Sequence, residues 1–495
     1  MNIKQTFAIV FFAVALPFFF YSCSKDDDEI VTTPTEEEEE EDDDDDPVVP
    51  TETVYSWIES EMREKYYWYS EIPAASSLNY KLGVADFFES LLSSKDGKHN
   101  DSSDYFYSYI KSTADVSAST RGISQIDYSY GFEFQLYLVN ESPASYYAHI
   151  LYVAPSSPAA EAGLKRGDWI HKIDAKAIDN SNYTTLLGGN AATLSVANYK
   201  KTESSSWTNI RTINITSART IEDDPLYYHN VYTSSTGKKV GYLVYNHFTA
   251  DKDENKEDGI YDTKLLSWSK DFAGVDEFIL DLRYNNGGLI TCAQLLATIL
   301  APSDALGSIF CIEEFNGKSW IQKKSNLYYN SNLVKNGINL NLKTIYVLVT
   351  GMTASASELV INGLKPYANV ILIGTKTEGK NVGSITIKDE SKYDWYMQPI
   401  VCKLYNAENK SDYEDGMTVN YELDEGSIQN MDSFLELGDT NELLLNAALS
   451  IIDGNYKTSA LSRSSWPTFR KAGSSLDRKA SNGVIINTIN NAEDH

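Results

Sequence analysis

Phe278-Ile279-Leu280-Asp281-Leu282-Arg283-Tyr284-Asn285-Asn286-Gly287-Gly288 runs from an apolar stretch straight into a polar turn with two glycines. A strand cannot continue through Asn-Asn-Gly-Gly, so it ends there, and Thr291 to Leu300 resumes with the apolar spacing of a helix. The same grammar recurs twice downstream. Strand-like Thr344 to Thr350 breaks at Gly351-Met352-Thr353-Ala354-Ser355-Ala356-Ser357-Glu358 and enters a helix from Leu359 to Tyr367. Val370 to Ile373 then breaks at Gly374-Thr375-Lys376-Thr377-Glu378-Gly379-Lys380. With Val240 to Tyr245 upstream and a helical stretch around Leu265 to Phe272 between, this is the alternation of an α/β fold. Ligands in open α/β sheets gather at the carboxyl ends of strands, so the three polar turns are expected to meet.

Their residues suggest acyl transfer. A serine at a strand-to-helix junction points its hydroxyl into a cleft that the free amides of the helix start also face, which suits a nucleophile beside an oxyanion hole. Gly287 and Gly288 let a backbone amide approach a substrate closely. The serine needs a base, and the turns hold no histidine. They do hold Lys380, which can accept a proton if burial lowers its pKa by roughly three units, about 4 kcal/mol of environmental bias. His247, near the start of the α/β segment, is the competing base or a cleft-lining residue.

Three segments, FILDLRYNNGG, TASASELV and GTKTEGKNVGS, with GYLVYNHFTAD before them and GDTNELLLNAAL after, resemble the C-terminal processing (tail-specific) serine peptidases. The resemblance implies a crotonase-like α/β core over residues 225–454 and a Ser–Lys dyad with no cofactor or metal. It places the nucleophile at Ser355, the base at Lys380, and the oxyanion amides at Ala356 and the Gly287-Gly288 turn. Ser357 is assigned to helix capping. Two positions depart from the pattern: a glutamine often found four residues after the lysine is Ser384 here, and a carboxylate found in some members eleven residues after the serine is Pro366.

Upstream, the period changes to two. Phe132, Phe134, Leu136 and Leu138 alternate with Glu133, Gln135, Tyr137 and Val139, and a second strand-like run spans Ala148 to Val153. Ser157-Pro158-Ala159-Ala160-Glu161-Ala162-Gly163-Leu164 reads as a short helix ending at a glycine, and Arg166-Gly167-Asp168-Trp169-Ile170-His171-Lys172-Ile173-Asp174 as a turn and hairpin. These stretches resemble a bacterial protease-type PDZ domain, inserted or preceding, over residues 123–218. The resemblance implies that Gly131 and Phe132 sit in a carboxylate-binding loop and that polypeptide C-termini are recognised there. Residues 53–122 show helical spacing at Val54, Trp57, Ile58, Met62 and Tyr66 and are expected to form a small helical domain. Its Tyr and Trp residues between Tyr66 and Tyr69 are read as a packed cap rather than a glycan-binding platform.

The chain has 495 residues, 42% of them apolar, and a formal net charge of −28. Such a polyanion is a poor nucleic-acid binder. Fifteen of its acidic residues fall between Asp26 and Asp46, so residues 24–52 read as an extended tether with no ordered loop for calcium. Before it, Lys4, the apolar run Phe7 to Phe20 and Cys23 form a signal-like segment, residues 1–23. This segment and Ser24-Lys25-Asp26-Asp27-Asp28 resemble the signal of Bacteroidota surface lipoproteins, which implies acylation at Cys23 and an outer-membrane anchor, surface-exposed or facing the periplasm. Cys292, Cys311 and Cys402 lie in no metal-like spacing and are expected to be buried free thiols. Residues 455–495 read equally as a packed extension or a loose tail. The competing function on this scaffold is a catalytically silent peptide- or glycan-binding surface lipoprotein.

Overall fold

The computed structural model describes residues 53–100, 103–113, 126–200, 207–252, 259–389, 391–457, 470–477 and 484–485. The signal segment, Cys23 and the acidic tether lie outside them.

A six-stranded sheet organises the α/β segment, in the order Leu226–Thr233, Lys239–Tyr245, Glu277–Asp281, Thr344–Val349, Asn369–Gly374 and Tyr421–Glu422. The first pair is antiparallel and the rest are parallel. Buried side chains alternate faithfully between its two faces. Leu243, Tyr245, Phe278, Leu280, Val347 and Leu372 point into one apolar cluster with the helices Ile260–Asp271, Ile290–Leu300 and Ala356–Leu364. Tyr242, Val244, Ile279, Leu348 and Ile373 point the other way, against the helix Leu443–Ile452. Both faces are therefore covered, as a parallel sheet requires. The strand ends expected from the sequence coincide with the polar turns, so the fold brings those turns to one edge.

A seven-stranded antiparallel sheet holds Trp207–Ile215, Ala192–Tyr199, Asp168–Ile173, Ala144–Val153, Phe132–Glu141 and Arg470–Ser474 in that order, with Lys176–Ala177 paired to Asp168–Ile173. Phe134, Ile150, Leu164, Ile170 and Val196 share its core. The short helix Pro158–Glu161 is capped by Ser157, whose Oγ accepts the Ala160 N–H at 3.1 Å. The tail is therefore packed at least over 470–477, where it supplies this sheet's outer strand.

Residues 53–113 depart from the expected helical domain. Helices Val54–Lys65 and Val84–Glu89 are present, but Lys98–Asn100 pairs with Ser103–Tyr105, and Tyr109–Ser112 joins Trp395–Gln398. Pairing with a distant strand overrides local propensity here. Tyr66 is fully buried among Ile58, Met62, Phe87 and Met397, so the aromatic run packs as a cap. Cys292, Cys311 and Cys402 are buried free thiols.

Candidate active site

Ser355 occupies the N-cap position of the helix Ala356–Leu364, after the strand Thr344–Val349. Its backbone has φ 61° and ψ −112°, a conformation that costs a non-glycine residue of order 1–3 kcal/mol and persists only where its surroundings impose it. The surroundings here are the turn after Glu277–Asp281. Asn285 accepts the Ala354 N–H at 3.1 Å and the Ser357 hydroxyl at 3.0 Å through its carbonyl oxygen. Ser357, expected to cap the helix, instead bolts the two turns together, because the cap position belongs to Ser355. Gly287 (φ 109°) lies so close that a Cβ on it would sit 2.8 Å from the Ser355 Cβ, and one on Gly288 (φ 137°) would sit 2.1 Å from the Phe248 carbonyl oxygen. Only glycine fits either position.

The third turn is fastened by a carboxylate. Glu358, fully buried, accepts the Ser355 N–H at 2.9 Å, the Thr377 hydroxyl at 2.5 Å, the Gly379 N–H at 2.7 Å and the Lys380 N–H at 2.8 Å. One side chain thus fixes the backbones of Ser355 and Lys380 relative to each other. Burial pushes the Glu358 carboxyl up to about 7, against the pull of these four donors. The Glu in TASASELV was visible in the sequence, but its partners more than 18 residues away were not.

Lys380 is 4% exposed. Burial lowers its pKa to about 8, with Asp96, Glu378 and Glu358 partly restoring the charged form. Its Nζ lies 4.7 Å from the centroid of the Tyr107 ring. Tyr107 is held in turn by Asp96, a fully buried carboxylate that accepts the backbone N–H groups of Tyr107 and Ser108, each at 3.0 Å, and the Tyr66 hydroxyl at 2.9 Å. The Tyr107 hydroxyl donates to Glu378 Oε1 at 3.2 Å, and Lys98 and Tyr105 also bond Glu378. Asp96 and Tyr107 therefore cover the lysine, which sequence reasoning missed because no motif links the two regions.

Ser355, Ala356, Gly287, Gly288 and Lys380 thus come together at one edge of the core sheet. Gly131, Phe132 and His247 form a separate group. Gly131 and Phe132 line a small hollow with Glu133, Tyr152, Ile221 and Asp223, and His247 Nε2 lies 3.1 Å from the Asp223 carbonyl oxygen. Ser384, at the position where the lysine-orienting glutamine was expected, is buried and accepts from Gln398 Nε2 at 3.1 Å. Pro366 follows the helix Ala356–Leu364.

Residues 239–418 match the model of peptidase family S41, and residues 53–130 match that of the peptidase S41 N-terminal domain. A crystal structure of a proposed S41 protease from Bacteroides fragilis is 36% identical in sequence, covering 82% of this chain and 99% of that one, with a TM-score of 0.71. The chain belongs to peptidase family S41. Among its S41 relatives, the carboxyl-terminal-processing protease of Picosynechococcus sp. is 27% identical over 250 residues, 49% of this chain and 53% of that protein. The carboxy-terminal processing protease CtpA of Bacillus subtilis is 27% identical over 250 residues, 50% of this chain and 46% of that protein. The chain spans about half the length of these curated relatives.

Proposed function

We propose that this S41 member is a serine endopeptidase in which neutral Lys380 serves as general base to Ser355. The observation that carries the reading is Glu358, which holds the nucleophile's turn and the base's turn on one carboxylate. Lys380 Nζ takes the Ser355 hydroxyl proton as Oγ bonds to the carbonyl carbon of the scissile peptide. The oxyanion so formed is stabilised by the amides of Ala356 and Gly288, since the Gly287 N–H already donates to Asn285 Oδ1 at 2.9 Å. The ammonium then protonates the departing amine, leaving an acyl-serine that water cleaves with Lys380 again as base.

In this reading the α/β segment is the crotonase-like core and residues 123–218 are a PDZ-like domain that collects polypeptide chains. The hollow at Gly131 and Phe132 is lined in part by the acidic residues Glu133 and Asp223. That favours capture of a strand's backbone over capture of a terminal carboxylate, which these charges would repel. Cys23 is proposed as a lipidated outer-membrane anchor, so Cys23→Ser is expected to move the protein out of the membrane fraction with its activity intact.

The test is covalent. A serine-directed phosphonate should label the purified protein at Ser355, Ser355→Ala should abolish labelling, and Lys380→Ala or Lys380→Arg should leave a folded protein that hydrolyses no peptide. Hydrolysis above about a tenth of wild type in either lysine variant would move the base elsewhere, since a neutral amine is what the chemistry needs. Undiminished hydrolysis in Ser355→Ala would overturn the reading.

A further inference from the structure

The outer strand of the seven-stranded sheet comes from the far end of the chain. Arg470–Ser474 pairs antiparallel with Phe132–Glu141, Lys471 opposite Tyr137 and Ser474 opposite Gln135. Without it, Phe132–Glu141 would be an open edge, the usual acceptor for a strand from another polypeptide. The fit tightens along the segment. Arg470 and Lys471 are exposed, while Ser475 is 4% and Leu476 2% exposed. Ser475 Oγ donates to Glu133 at 2.5 Å and accepts the Phe134 N–H at 2.7 Å, and Leu476 enters an apolar cluster beside Tyr284.

The direction of travel matters as much as the pairing. After Leu136 and Gln135 the segment runs toward Phe132 and then reaches the glycine turn, where Asn286 Nδ2 donates to the Leu476 carbonyl oxygen at 2.9 Å. Asn286 immediately precedes Gly287, which packs on Ser355. A second stretch, Val484–Ile485, pairs in parallel with Val382–Ser384, the strand that follows Lys380. The tail thus edges one sheet at residues 470–474, bonds the glycine turn beside Ser355 at Leu476, and pairs at residues 484–485 with the strand that follows Lys380. It is an internal segment and carries no terminal carboxylate.

We infer that residues 470–477 are a tethered occupant of the polypeptide-binding edge, a strand of the protein's own that a substrate must displace to reach Ser355. This rests on the peptidase reading given above. The occupant also reports the chemistry the edge accepts: an extended backbone with basic residues first, then small residues, then an apolar side chain of leucine size at the Leu476 position. Nothing in that interaction depends on a chain end. A tethered competitor acts at an effective concentration near millimolar, so its removal lowers the apparent KM for long chains by about tenfold or more. A short substrate that reaches Ser355 without using the edge gains little.

The experiment locks the strand instead of only deleting it. Gln135→Cys with Ser474→Cys places thiols on directly opposite residues of an antiparallel pair, within disulfide reach. Three readouts are taken on the full chain, oxidised and reduced, and on a chain ending at Phe469. They are KM for an unfolded carboxymethylated polypeptide, turnover of a short chromogenic peptide, and binding of the labelled octapeptide Arg-Lys-Ala-Gly-Ser-Ser-Leu-Asp in a Ser355→Ala background. The oxidised lock should lose the long substrate and the octapeptide and recover both on reduction. The shortened chain should bind the octapeptide at least about tenfold more tightly than the full chain. With the disulfide confirmed by mass and short-peptide turnover equal to wild type in both redox states, equal octapeptide binding or equal long-chain KM in oxidised and reduced protein would overturn the inference. Octapeptide binding needs no hydrolysis, so failure of the Ser–Lys reading would show separately, as absence of Ser355-dependent turnover.

Discussion

In the proposed Ser355–Lys380 dyad two buried groups would set the working pH range, and their directions agree. Lys380 must be neutral to take a proton, and burial brings its pKa down to about 8, so at pH 7 roughly a tenth of molecules hold the competent base. Glu358 must be ionised to accept four donors, and burial brings its pKa up to about 7, so acid removes the clamp as well. Each loss occurs as pH falls. The value of kcat/KM should therefore climb between pH 6 and 8 more steeply than one proton allows and level off above about 8.5. Glu358→Gln presents one acceptor oxygen and an amide donor where four donors converge. It should lower kcat by about 100-fold with little change in KM, because it misplaces the base without touching the substrate. It should also flatten the profile to a single-proton slope. A wild-type profile already of unit slope would remove Glu358 from the acid limb.

Where a strand becomes a turn, the decisive feature is room. A methyl group at Gly287 would meet the Ser355 Cβ at 2.8 Å in a backbone conformation that alanine adopts only under strain. Gly287→Ala should cost about 1–3 kcal/mol of stability and about 100-fold in kcat, read by thermal melting and by phosphonate labelling rate. Unchanged labelling would mean that the turn does not position the nucleophile. These turns were legible in the sequence because both of their signals are local: apolar runs that alternate between two buried faces, and glycines where the chain must fold tightly against a neighbour. The strand ends, the helix after Ser355 and the short helix after Ser157 all followed from such patterns. What escaped was long-range. Tyr107 over Lys380 and Asn286 on Leu476 join residues some 190 or more positions apart, with no periodicity to announce them. The expectation of a helical domain over residues 53–122 failed at Tyr109–Ser112 for a related reason, since that strand takes its conformation from Trp395–Gln398.

Across the whole molecule, the seven-stranded sheet is coupled to the core by buried charge. Arg166, on the turn before Asp168–Ile173, donates to Glu425 at 2.8 Å and to the carbonyl oxygens of Leu151 and Leu435, each at 2.7 Å. Arg283, from the turn that follows the strand Glu277–Asp281, shares Glu425 at 2.6 Å and binds Glu442 at 2.7 Å. The Tyr284 hydroxyl donates to the other oxygen of Glu425 at 2.6 Å. Burial by itself would raise the Glu425 pKa, but Arg283 and Arg166 outweigh it and hold the carboxyl well below its usual range. Such a depressed carboxylate contributes stability above its unfolded pKa of about 4.3 and loses it as pH falls through the lower folded value. Removing Arg166 leaves Arg283 alone among the buried carboxylates of Asp281, Glu425 and Glu442, so Arg166→Ala should cost about 3–5 kcal/mol at pH 7 in urea unfolding. Part of that penalty should fade near pH 4.5, where Glu425 in the variant can take up a proton that wild type excludes. Arg166 also stacks on Phe434, 3.6 Å from the ring centroid, so packing is the rival cause. The two separate cleanly: a penalty that shrinks with acid belongs to the charge, and one that stays constant from pH 7 to 4.5 belongs to the ring contact and would reduce the ionic cluster to a bystander in holding the two sheets together.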